Sequence, residues 1–215
     1  PPPPPPPPPP FYSRRRHKRC CSWSRGLGDV YKRQDDAVLA TGFHKLDDLI
    51  GGGWPRGALV EIFSSTAQGL SLLVPVLARL SNKPAWLAWV NSPYLPYAPR
   101  LQALGIDTGK ILLLRKLADE QALWAAEQAL RSGNCSVVMF WPGKLATAQV
   151  RRLQLAAEAG ACLGILFRPK PASSQASVAA LRLEVEADAQ ALSIQLLKRR
   201  GGWARGSIRL APCFG

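Results

Sequence analysis

From Gly57 onward the chain alternates short, almost wholly apolar runs with longer amphipathic ones. Ala58 to Phe63 (ALVEIF) reads as a strand, followed by a small-residue loop and a helix from Ser71 to Leu80. Ala85 to Val90 (AWLAWV) predicts a second strand, Pro99 to Leu104 a short helix stopped by Gly105, and Lys110 to Leu114 a third strand. Asp119 is placed to cap a helix that runs to Ser132 and ends at Gly133. Ser136 to Trp141 is a fourth strand, Thr147 caps a helix through Glu158, and Ala161 to Phe167 is a fifth strand. Strands apolar at nearly every position are buried on both faces, as in a parallel sheet covered by helices. Their alternation with helices predicts an α/β fold with a mostly parallel sheet.

The pattern then changes period. Leu181, Leu183 and Val185 alternate with Arg182, Glu184 and Glu186; after a turn near Asp188, Leu192, Ile194 and Leu196 alternate with polar residues. Period-two alternation predicts strands with one wet face, here a C-terminal antiparallel hairpin. A Gly201-Gly202 turn and a last strand from Ser207 to Leu210 follow. Arg168 to Ser177 (RPKPASSQAS) reads as a mobile loop between the two regimes.

Ahead of this pattern the first 34 residues obey different rules. Pro1 to Pro10 can form only a polyproline II rod, and the basic run after it has no apolar periodicity. Asp29-Val30-Tyr31-Lys32-Arg33-Gln34 is the translation of GAT GTG TAT AAG AGA CAG, which resembles the end of a transposase sequencing adaptor. Residues 1–34 are therefore set aside as a scar, the alternative being a proline-rich basic tail for acidic partners. Residues 35–215 are read as a single domain. They carry 20 basic and 13 acidic residues, a net of +7 against +14 for the whole chain. That balance suits an acidic partner such as nucleic acid without demanding one.

Cysteine usage changes little. Cys135, Cys162 and Cys213 show no metal-ligand spacing, and His44 is the one histidine beyond residue 34. No metal, cofactor or disulfide is expected, which fits a reducing cytosol. No run reaches the length of a membrane span.

Thr41-Gly42-Phe43, Leu46-Asp47 and Gly51 through Ile62 (GGGWPRGALVEI) resemble the lead-in of RecA-type ATPases, implying a RecA-like P-loop-type core. The loop chemistry is missing. The pattern G-x-x-x-x-G-K-[ST] falls on Ser64, Gly69, Leu70 and Ser71, so the opening glycine and the phosphate-binding lysine are both replaced. The fourth strand ends in Phe140-Trp141-Pro142 where a Mg²⁺-orienting aspartate belongs, and Pro93 stands where a water-activating glutamate would follow the second strand. The expectation is a non-enzymatic domain with a degenerate nucleotide site.

Two families of this kind compete. Pro93 through Pro99 (PYLPYAP), Ala122-Leu123-Trp124-Ala125, Arg152 through Glu158 and Leu197 through Gly202 resemble the ImuA family of translesion-synthesis accessory proteins. That resemblance implies a scaffold for the Y-family-like protein ImuB and an error-prone replicative-type polymerase, with RecA and DNA as further partners. Leu72 through Leu77, Arg131 through Val138 and Phe167 through Ser174 are similar to the SOS cell-division inhibitor SulA, which implies FtsZ as partner instead. The glycine-rich lead-in and the basic hairpin at the two ends favour ImuA.

Site candidates follow from charge and aromatics. Lys198, Arg199, Arg200, Trp203, Arg205 and Arg209 form the densest basic patch, with Trp203 available to stack on a base. Arg168 and Lys170 join them as DNA candidates; a solvated hairpin and a plain surface loop are the alternatives. Tyr94 and Tyr97 lie past the end of the second strand, where open α/β sheets bind ligands, and are the partner-binding candidates. Trp86 and Trp89 are read as core, and Arg151 and Arg152 as a solvated helix face.

Overall fold

A computed structural model describes residues 38–65, 68–187, 191–202 and 206–211 of the 215-residue chain, all within one compact unit. The readings on residues 1–34, Asp188, Trp203, Arg205 and Cys213 lie outside the described residues. The main sheet has eight strands: β3 (Ala58–Ser64), β4 (Trp86–Val90), β5 (Ile111–Leu114), β6 (Cys135–Phe140), β7 (Leu163–Pro169), β8 (Leu181–Ala187), β9 (Leu192–Arg199) and β10 (Gly206–Leu210). Their spatial order is β10-β9-β8-β3-β7-β6-β4-β5. Every neighbouring pair from β8 to β5 is parallel, while β8–β9 and β9–β10 are antiparallel. A separate two-stranded ladder joins β1 (Val38–Leu39) to β2 (Trp54–Pro55).

The helices are α1 (His44–Ile50), α2 (Val74–Ser81), α3 (Ala98–Ala103), α4 (Asp119–Arg131) and α5 (Thr147–Ala159). Alternation along each central strand sorts its side chains between two cores. Val60, Ile62, Leu87, Trp89, Val137 and Met139 point to one face, packed with Leu46 of α1, Leu77 of α2 and Leu101 of α3. Leu59, Ala88, Val90, Val138 and Phe140 point to the other, against Leu123 and Ala126 of α4 and Leu153 and Ala157 of α5. Both faces are covered, which is why these strands are apolar at nearly every position. The expected α/β architecture with a mostly parallel sheet and a closing hairpin is the one observed.

Several local expectations need correction. The helix expected from Ser71 opens as a 3₁₀ segment (Gln68–Leu73), and α-helix starts at Val74. Pro75 sits in its first turn, where a missing N–H costs nothing but where no helical bond can reach back to Ser71. Asp119 and Thr147 are the first residues of α4 and α5, and the caps are Ala118 and Ala146. Each helix start is held by a glutamine reaching back: Ala118 N–H donates to Gln121 Oε1 (3.4 Å) and Ala146 N–H to Gln149 Oε1 (2.8 Å). The stretch from Arg168 is not a loop at its start, since β7 runs through Pro169 and a 3₁₀ turn covers Lys170–Ser174. Trp89 is buried, whereas Trp86, at the mouth of its strand, is 45% exposed with Lys110 Nζ 5.8 Å above its ring.

The hairpin is also less wet than its alternation implies. Arg182 of β8 is buried beneath the Lys170–Ser174 turn, donating from Nε to Glu61 Oε2 (2.8 Å) and from Nη2 to the Ser173 carbonyl (3.0 Å). Glu61, fully buried in β3, also accepts from Arg168 Nη1 of β7 (2.7 Å). Three adjacent strands are thus laced by an Arg–Glu–Arg triad inside the sheet.

Candidate functional site

Strand β4 ends at Val90, and Asn91 takes up a left-handed conformation (φ 52°), which asparagine tolerates better than most residues. Its backbone N–H donates to the Leu114 carbonyl (2.7 Å), and its side chain both donates to the Leu117 carbonyl (2.9 Å) and accepts from the Leu117 N–H (3.1 Å). The loops leaving β4 and β5 are therefore fastened together at the C-terminal edge of the sheet. Beyond this anchor, Ser92 Oγ donates to the Tyr94 carbonyl (2.7 Å), and Pro93, Pro96 and Pro99 limit the backbone. Tyr94, Leu95 and Tyr97 are held outward, 72%, 67% and 72% exposed.

The β5 side adds a second apolar element. In α4 the 3.6-residue period turns Leu123, Ala126 and Leu130 into the core, and Trp124, one position round from Leu123, out to solvent at 63% exposure. Trp124, Ala125, Leu114 and Leu117, with Glu120 and Gln121, line an open cleft of about 650 Å³. Burying a side chain as large as these is worth about 1.5–3 kcal/mol. Two exposed apolar sets thus leave the C-terminal end of the sheet, Tyr94, Leu95 and Tyr97 past β4 and Trp124 with Leu114 and Leu117 past β5, and both are candidates for an interaction surface. Tyr94 and Tyr97 were legible as candidates from their position after β4. Trp124, Leu114 and Leu117 were not, although the outward phase of Trp124 next to Leu123 could have signalled the first.

The positions that the sequence aligns with a degenerate phosphate loop lie elsewhere. Strand β3 ends at Ser64, and Gly69 lies so close to the sheet that a Cβ there would sit 2.6 Å from Ile62 Cγ2 and 3.3 Å from Phe167 Cε1. Leu70 packs against the core and Ser71 is half-buried. Trp141 stacks on Phe167 (centroids 4.5 Å apart, planes within 5°), and together with Ile62, Ser64, Ser65 and Arg168 they line a cleft of about 160 Å³. Where a nucleotide-binding loop would present backbone N–H groups to phosphates, the described lining is largely aromatic and aliphatic.

The structure separates the DNA candidates. Arg168 is buried, its guanidinium held by Glu61 and by Gln175 Oε1 (2.8 Å). Lys170 is clasped by Glu184 (2.7 Å) and Glu186, and those hydrogen bonds push its pKa up. Lys198 donates to the Ser177 carbonyl (2.7 Å); burial, followed by the charge of Arg182, pulls its pKa down. Arg199 and Arg200 line a different cavity, near Gly51 and Arg56, and Arg209 lies on the edge strand β10. Arg152, expected to be solvated, reaches the buried Glu127 of α4, which also pairs with Arg131 (2.9 Å). Among the described residues there is no cluster of three metal-ligating side chains and no helix long and apolar enough to cross a membrane.

A family model described as "Cell division inhibitor SulA" matches residues 57–164. The cell division inhibitor SulA of Edwardsiella piscicida is 39% identical over 119 residues, 54% of this chain and 71% of that protein. Those of Photorhabdus laumondii subsp. laumondii and Yersinia pestis (strain Pestoides F) are 36% and 35% identical over 115 and 98 residues. These alignments take in 53% and 46% of this chain, and 64% and 58% of the relatives' lengths. The expectation of an ImuA-type scaffold for translesion polymerases is corrected by these matches. Of the two features that favoured it, the basic hairpin lies outside residues 57–164 and the glycine-rich lead-in reaches the match only at its end, and the shared core carries the SulA likeness. By the match across that core, the chain belongs to the SulA family.

Proposed function

We propose that this protein is a cell-division inhibitor of the DNA-damage response that binds the tubulin-like division protein FtsZ. It acts by occupying a surface on that partner, without hydrolysing nucleotide, on a RecA-like scaffold whose phosphate loop is degenerate. The observation that carries this reading is that the segment matching the SulA family contains every residue of the exposed aromatic surface, from Tyr94 to Trp124. The relatives with this core are named cell division inhibitors. The largely apolar cleft beside Ser64 and the half-buried Leu70 favour binding over catalysis, because Leu70 carries no charge and the one charged side chain lining that cleft, Arg168, is already paired with Glu61.

The test is FtsZ assembly with GTP, followed by light scattering and sedimentation, with the full chain titrated in. Polymer mass is expected to fall steeply as the chain approaches the FtsZ concentration, as for a stoichiometric sequestering partner. The triple substitution Y94A/Y97A/W124A is expected to weaken the effect by at least about tenfold, the scale of one or more aromatic hot spots, while leaving the circular dichroism spectrum unchanged. Unaffected polymer at an excess of the wild-type chain would overturn the proposal. Full inhibition by the triple variant would move the docking surface elsewhere.

A further inference from the structure

At the other end of the sheet, where β3 and β8 begin and β9 ends, the chain encloses a second cavity of about 390 Å³. Its floor is apolar, from Ile50, Pro55 and Leu181, and its rim carries three guanidinium groups, those of Arg56, Arg199 and Arg200. Backbone contacts anchor two of them, Arg56 through its side chain and Arg200 through its main chain. Arg56 Nε donates to the Ala161 carbonyl (3.2 Å), and the Arg200 N–H donates to the Ala180 carbonyl (2.7 Å).

The Arg199 guanidinium lies close against two glycines. A Cβ on Gly51 (φ +87°) would fall 2.7 Å from its Nη1, and one on Gly202 would fall 2.5 Å from its Nη2. Among the described residues, one carboxylate stands near the three charges: Glu158, 3.7 Å from Arg200 Nη2 and itself bonded to Gln154. The rim therefore keeps an excess of positive charge.

We propose that this cavity binds a small organic phosphate, its phosphoryl group on the arginine rim and its apolar body on the floor. Guanidinium groups match phosphate oxygens in bidentate geometry, and three of them exceed what one carboxylate can neutralise. The volume lies at the lower end of the range of small-molecule pockets. A nucleic-acid backbone calls for an accessible basic strip, whereas here the charges surround a concavity with an apolar base. The site is distinct from the phosphate-loop region, which lies at the opposite, C-terminal ends of the parallel strands.

The experiment is calorimetric titration of the full chain with phenyl phosphate and with inorganic phosphate, on wild type and on R56Q/R200Q. Arg199 is left intact because it packs against the C-terminal turn of α1, and the basic segment at residues 14–19 is common to both proteins. Phenyl phosphate is expected to bind saturably at one site, more tightly than inorganic phosphate, and at least tenfold more weakly in R56Q/R200Q. Hydrogen exchange on the wild type gives a reading independent of the variant's folding: phenyl phosphate should protect amides in Ile50–Ala58 and Ala180–Arg200. Absence of saturable binding, affinity in the variant within twofold of wild type, protection confined to other segments, or displacement of phenyl phosphate by a short DNA duplex would each overturn the proposal.

Discussion

Glu61→Gln is the substitution with the largest expected consequence for its size. The carboxylate is fully buried and is shared between Arg168 Nη1 at 2.7 Å and Arg182 Nε at 2.8 Å, whose side chains are themselves 4% and 10% exposed. The amide keeps the shape and one acceptor but removes the charge, leaving two guanidinium groups in the sheet without a counter-ion. Breaking a buried pair in this way costs about 3–5 kcal/mol, a third or more of the stability of many domains. For a domain of this length each kcal/mol moves the melting midpoint by about 2–4 °C, so E61Q should melt about 6–20 °C below wild type. The comparison is K170A, which removes an ammonium at the surface and is expected to leave the midpoint unchanged. Replacing the whole triad, as E61L/R168L/R182M, should recover most of the loss because no charge remains to be desolvated. Urea unfolding at neutral pH gives the free energies directly. An E61Q midpoint within 2 °C of wild type would refute the view that this carboxylate neutralises the two arginines.

Two further outcomes follow from the core. Leu70→Lys restores the one charge that a phosphate loop needs, but it does so on a turn packed against Ile62 and Phe167; no ATP turnover is expected, and turnover above background in a coupled assay would contradict the non-enzymatic reading. Burial pushes the thiols of both Cys135 and Cys162 up, most strongly Cys162, so iodoacetamide at pH 8 followed by peptide mapping should leave both unmodified in the folded chain and label both in urea. The same shift has a linkage consequence. A thiol held neutral in the fold but free to ionise when unfolded contributes stability that is present below pH about 8.5 and is lost as pH rises above it. A urea midpoint that holds constant from pH 8 to 10 in wild type would count against it.

The sequence by itself determined the class of fold and most of the elements from β3 onward. Whether a side chain is buried within its own strand or helix is a local property, written in periods of two and 3.6, so ALVEIF and SVVMFW were readable as buried strands and the Leu181–Leu196 region as a hairpin. Tyr94 and Tyr97 were legible for the same reason, since they follow a strand end directly. Only the tertiary structure decided which distant segments meet. Glu61 finds Arg168 and Arg182, 107 and 121 positions away, because β3 lies between β7 and β8 in a register that brings the three charges together. Neither the strand order nor that register leaves a trace in the local pattern. The same crossover of the chain makes a triad of residues that read separately as one position of a buried strand, a loop arginine and a wet hairpin arginine. It also splits the basic residues of the C-terminal hairpin: Lys198 bonds to the Ser177 carbonyl, while Arg199 and Arg200 join Arg56 at a cavity 143 positions from Arg199 along the chain. Periodicity records how each residue meets water, whereas a site depends on how strands are ordered, and that order is settled by packing across the whole sheet.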